Sequence, residues 1–178
     1  MRTTIRSPLV VALALALGLT AELAAQDVNA DAIPEVCSGE ELRQFDFWLG
    51  EWQVADTAGV VLGANVITRV ANGCGVLEHW TSESSGNEGM SLNWYDRSIG
   101  RWTQVWVGSG FNLTLTGGFE GGRMVLSGQR ETDKGVVVDR ITWIPLEDGR
   151  VRQLWDVSKN GGATWEAAFD GMYTRVMK

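Results

Sequence analysis

Glu78, His79 and Trp80 follow one another in the chain, and His79 is its one histidine. In an extended segment alternate side chains share a face, so Glu78 and Trp80 are expected to point one way and His79 the other. A carboxylate set among indoles must either pair with a cation or hold its proton to an unusually high pH. The expected cation is Arg140, which shares a face with Thr142 on another extended segment. Such a pair would grip a polar group of a ligand, or Glu78 would move a proton. A single imidazole rules out a zinc site of several histidines, and no Ser-His-Asp triad can be placed, so no metal is expected and no catalytic residue is assigned. Haem needs only one axial imidazole, but His79 falls on the face opposite Glu78, and no cofactor is expected.

The same alternation sets amides beside indoles. Nine tryptophans stand at 48, 52, 80, 94, 102, 106, 143, 155 and 165, and each buried N–H needs an acceptor. Gln104 shares a face with Trp102 and Trp106, Gln153 with Trp155, and Asn93 with Ser91. The expected binding set is therefore Glu78, Trp80, Asn93, Trp94, Gln104, Trp106, Arg140, Thr142, Gln153 and Trp155. Indoles would form the walls, and the polar groups would orient a small apolar or aromatic molecule. In a filled interior the same groups would instead satisfy one another. Outward Val105, Val107, Trp143 and Leu154 would then offer a surface to a partner or to a second copy in a homodimer.

Other motifs yield less. Asp96, Glu120, Asp133, Asp148 and Asp170 fit turn positions. The glycine-rich run from Gly117 to Gly122 has neither the following helix nor the lysine of a phosphate loop, and Gly108-Ser-Gly110 lacks a partner base.

These side chains must be held by strands. Segments 51–55, 64–71, 75–83, 89–96, 101–107, 111–117, 123–131, 136–144, 150–158 and 165–175 alternate apolar and polar residues, with a short helix expected near Glu40 to Phe45. Between them stand Asn72-Gly73, Gly86-Asn87, Gly121-Gly122, Asp148-Gly149 and Asn160-Gly161, dipeptides that tolerate the positive φ of tight hairpins. Ten strands joined by hairpins describe an all-β, antiparallel up-and-down meander, and closing it into a barrel removes its exposed edges.

The N-terminus reads as an export signal. Arg2 and Arg6 precede an apolar run from Leu9 to Leu19 and small residues at Ala24 and Ala25, so residues 1–25 are expected to be a cleaved signal peptide. Eleven residues are too few to span a bilayer, which takes about 20, and stable membrane insertion is not expected. Residues 26–41 read as a flexible leader and 42–178 as the barrel domain. Export to the periplasm or the medium meets oxidising conditions, which favour a disulfide between Cys37 and Cys74. Removing Arg2, Arg6 and Glu22 with the signal leaves 13 basic against 21 acidic residues, a net charge of −8 that should repel nucleic acid.

The segment Phe45-Asp-Phe-Trp-Leu-Gly-Glu-Trp52 ends in Gly50-Glu51-Trp52, which resembles the G-x-W signature of the calycins, the lipocalins and fatty-acid-binding proteins. That resemblance implies that Arg175, near the chain end, lies over Trp52 to close the barrel bottom. Over residues 37–176 the chain looks like an uncharacterised family of secreted bacterial calycin-like domains, carried by Gly73-Cys74, Trp102 to Trp106, Val151 to Trp155 and Phe169 to Tyr173 among others. The resemblance implies a binding barrel, or alternatively a calycin-type isomerase or cyclase with Glu78 or Arg140 acting on a ligand inside. Ser158 to Trp165 also resembles the Asp-box hairpin of sialidases, with Asn160 in place of the Asp, and is read as a structural turn.

Overall fold

The computed structural model describes residues 37–177, so the expected signal peptide and most of the expected leader lie outside the described residues. Ten strands form where the alternation places them. They are β1 (Gly50–Ala55), β2 (Val61–Val70), β3 (Gly75–Ser82), β4 (Glu88–Asp96), β5 (Arg101–Gly108), β6 (Phe111–Glu120), β7 (Arg123–Thr132), β8 (Gly135–Pro145), β9 (Val151–Ser158) and β10 (Glu166–Arg175). Each pairs antiparallel with its neighbours in the chain, and β1 pairs with β10, which closes the barrel. The β6–β7 hairpin turns on Gly121 and Gly122 with φ of +56° and +77°, a conformation that glycine adopts without steric cost.

The barrel has two unlike ends. One is plugged by two short 3-10 turns, Glu40–Arg43 and Asp46–Trp48, in place of the single short helix expected there. Between them Phe45, fully buried, stacks on Trp48 at 4.9 Å and meets Trp102 and Trp143 edge-on at 5.5 and 5.1 Å. Burying such a ring contributes about 1.5–3 kcal/mol. The Nε1 of Trp102 donates to the backbone oxygen of Glu41 and to Gln44 Oε1, tying the plug to β5.

The disulfide between Cys37 and Cys74 clamps the chain just ahead of the plug to the β2–β3 connection, with the Cα atoms 5.1 Å apart. Cys37, Glu40 and Glu41, in the segment read as leader, are thus tied to the barrel by the disulfide and the first 3-10 turn.

Arg175 lies over Trp52 with its guanidinium carbon 4.3 Å from the ring centroid, and its Nη1 donates to the Leu49 carbonyl. Gly50 makes room for it. Its φ is +138°, and a methyl group there would overlap Arg175 Nη1. The Trp52 indole donates to the Trp48 carbonyl at 2.9 Å, which locks the plug to β1.

Candidate functional site

The other end is open. A cavity of about 320 Å³ runs from the middle of the barrel up to the β3–β4 and β5–β6 hairpins, where the exposed Ser85, Asn87, Glu88 and Ser109 border it. Its floor includes Trp143, above the plug, and its upper wall is aromatic: Trp80, Trp106, Phe111, Trp155 and Phe169. A belt of polar side chains runs between floor and wall.

The belt is one continuous hydrogen-bond network. Asn65 Nδ2 donates to Glu78 Oε1 at 2.7 Å, and the Ser91 hydroxyl donates to Glu78 Oε2 at 2.7 Å. Asn93 Nδ2 donates to Ser91 Oγ at 2.9 Å and to the Val76 carbonyl at 3.1 Å, while Gln104 Nε2 donates to Asn93 Oδ1 at 2.8 Å. Asn65 also donates to the Tyr173 hydroxyl, which in turn donates to Gln153 Oε1. The network thus spans β2, β3, β4, β5, β9 and β10.

At its centre Glu78 is only 4 % exposed. Burial pushes its carboxyl up to about 7, against the pull of the Asn65 and Ser91 hydrogen bonds. Tyr173 is raised well above the ordinary phenol value, first by burial and then by the charge of Glu78. Near neutral pH Glu78 therefore changes between a proton donor and a charged acceptor, a property concentrated at functional sites.

Two of the wall indoles pack against glycines. A methyl group on Gly89 of β4 would overlap the Trp106 ring, and one on Gly63 of β2 would overlap the Trp80 ring. Across the barrel, Trp155 Nε1 donates to Asp139 Oδ1 at 2.8 Å, and Arg130 Nε donates to Asp139 Oδ2 at 2.7 Å. That ion pair fixes Trp155 as a wall, with Phe111 stacked on it at 5.5 Å.

The chain matches no protein-family model and no curated protein.

Of the ten residues expected to bind a ligand, Glu78, Trp80, Gln104, Trp106, Gln153 and Trp155 line the cavity. Asn93 is fully buried in the belt behind them. Trp94, Arg140 and Thr142 are corrections. Trp94 alternates with Asn93 and faces outward beside the disulfide, in a groove with Leu42, Cys74 and Leu92. In β8 it is Asp139, Ile141 and Trp143 that point inward, so Arg140 and Thr142 take the outer face. Arg140 pairs there with Asp156 at 3.0 Å and covers the Trp165 ring at 3.9 Å, out of reach of Glu78.

The same phase overturns the expected outer patch at Trp143, which is fully buried, while Val107 is 59 % exposed as expected. His79 is on the outer face, 3.5 Å from Glu88, and Asp170 is a strand residue paired with Arg152 rather than a turn residue. Asn160 holds its hairpin by accepting from the Thr164 amide and the Ser158 hydroxyl, a structural turn as expected.

Sequence reasoning left Asn65, Asp139, Phe111, Phe169 and Tyr173 out of the site. For Asn65 the signal was present: it alternates with Gly63 and Ile67 between outward positions of β2. For Asp139 the signal was weak, because β8 carries apolar side chains on both faces.

Proposed function

We propose that this protein is an exported binding barrel, periplasmic or secreted, that takes up a small apolar or aromatic molecule through its open end. The observation that carries the reading is the cavity of about 320 Å³, walled by Trp80, Trp106, Trp155 and Phe169 above a hydrogen-bonded polar belt. Pockets for small molecules combine a largely apolar lining with a few placed polar groups, at about 300–1,000 Å³. The contacts proposed are Glu78, Trp80, Gln104, Trp106, Gln153 and Trp155. Export is supported by the signal-like N-terminus and by the disulfide, which persists in an oxidising compartment. Kinship with the calycin-like domains is supported by the closed meander and by Arg175 over Trp52 beside Gly50.

A second reading is an enzyme of the isomerase or cyclase kind, and one observation favours it: Glu78, poised to exchange a proton at about pH 7, lines the cavity. Arg140 has no part in that reading, since it lies outside the barrel.

Native mass spectrometry of the protein purified from its host compartment, with an absorbance scan beside it, tests the binding reading. A stoichiometric adduct that Trp106→Ala weakens is the expected result. A bare protein whose tryptophan emission is unmoved by any of a panel of small aromatic compounds would refute it.

A further inference from the structure

Glu78 is a carboxylate at the bottom of an aromatic cavity whose protein neighbours are all neutral. Its two oxygens each accept one hydrogen bond, from Asn65 and from Ser91, and a carboxylate has room for about four. Among the described residues no cation pairs with it, and the one nearby acid–base pair in the lumen, Asp139 with Arg130, is internally neutral. Tyr173, reaching in from β10, keeps its proton. At the mouth stands another carboxylate, Glu88, with His79 outside it. Among the described residues that line the cavity there is no lysine or arginine to meet an anionic ligand.

We propose that the molecule taken up is a protonated organic amine on an aromatic or apolar body, with its ammonium on Glu78 and its body between Trp80, Trp106, Trp155 and Phe169. The inference rests on the cavity being a binding site and adds the charge of its occupant. An ammonium supplies the donors that the free lone pairs of Glu78 accept, and charge-assisted bonds of this kind are roughly twice as strong as neutral ones. The indole faces add attraction for a cation. The acidic surface of the protein, net −7 over the chain, draws cations toward the mouth. The cavity, near the lower end of the small-molecule range, suits one or two rings rather than a long chain.

Binding an ammonium requires the ionised carboxylate, so affinity is coupled to the proton that Glu78 holds up to about pH 7. Amine affinity should be constant above that pH and fall about tenfold for each unit below it, while a neutral ligand should show no such slope. The other titratable groups around the cavity are Asp139, paired with Arg130, Tyr173, whose phenol is raised well above its ordinary value, and Glu88 with His79 at the mouth, outside the polar belt.

Calorimetric titration of the purified protein with benzylamine, 2-phenylethylamine and tryptamine, each beside its matched alcohol, tests this. Each amine that binds should do so about tenfold or more tighter than its alcohol at about pH 8. The preference should vanish in Glu78→Gln. The pH profile of the unaltered protein provides the same test without a substitution. Alcohols that bind as tightly as amines, or an amine preference that survives Glu78→Gln and has no slope below pH 7, would overturn the charge assignment while leaving the cavity a binding site. No heat with any amine or alcohol, and no effect of a neutral apolar dye on the tryptophan emission, would remove both readings together.

Discussion

At the plugged end Trp48, Trp102 and Trp143 are at most 1 % exposed and pack on Phe45, whereas at the open end Trp80, Trp106 and Trp155 are partly exposed and stand around a cavity. One residue type thus serves as filler at one end and as lining at the other. Neighbours decide which. Plug rings meet other rings, and at this end the Nε1 atoms of Trp48 and Trp143 are buried without a hydrogen-bond partner, so the packing gain must outweigh two unmet donors. Of the wall rings, Trp80 and Trp106 pack on glycines and border the cavity. Stability should therefore reside at the plugged end and ligand selectivity at the open one.

The comparison breaks most visibly under truncation. Trp48→Ala is expected to lower the unfolding free energy by about 3–5 kcal/mol, and Trp106→Ala by about 1 kcal/mol or less, as judged by urea denaturation. Equal losses would mean that the two ends are not energetically distinct. Replacing both Cys37 and Cys74 by Ser opens a loop across 37 residues, and a loss of about 2–4 kcal/mol is expected at the plugged end. Its companion measurement is ligand affinity, which should not change in the double variant below its unfolding temperature.

Glu78 sharpens the comparison through pH. Its folded value of about 7 lies above the ordinary 4.5, so the unfolded chain releases this proton first as pH rises. Stability contributed by the protonated carboxyl is full below about 4.5 and lost as pH climbs through about 7. Unfolding free energies of the unaltered protein and Glu78→Gln should diverge over that window, by up to about 3 kcal/mol in favour of the variant at about pH 8. Parallel pH curves would mean that the belt does not hold the proton. The smallest effect belongs to Arg175→Met, about 1 kcal/mol from the loss of the cation over Trp52, measurable as a melting-temperature shift of a few degrees.

Much of this arrangement could be read from the residues alone. The strands fall within a few positions of the alternating segments because a half-buried sheet imposes a period of two, and the hairpins turn where Gly and Asn permit positive φ. Glu78 with Trp80, and Gln104 with Trp106, share the lumen as the alternation requires. Arg140 was misplaced for a definite reason. Val136, Val138 and Ile144 are apolar on one face of β8, and Val137, Ile141 and Trp143 on the other, so the pattern does not say which face is inside. Pairing of Ile141 with Trp155 and of Trp143 with Gln153 settles it, and those contacts depend on register.

The sequence by itself determined the periodicities: ten strands, their turns, a cysteine pair and a glycine two residues before a tryptophan, each set by local backbone preference or by chain-neighbour alternation. Only the tertiary structure decided the phase of β8, the plug that divides filled from open interior, and the joining of Asn65, Glu78, Ser91 and Tyr173 into one network. Those features arise between residues as many as 108 positions apart, where closure of the barrel and cross-strand register, rather than local preference, bring side chains together.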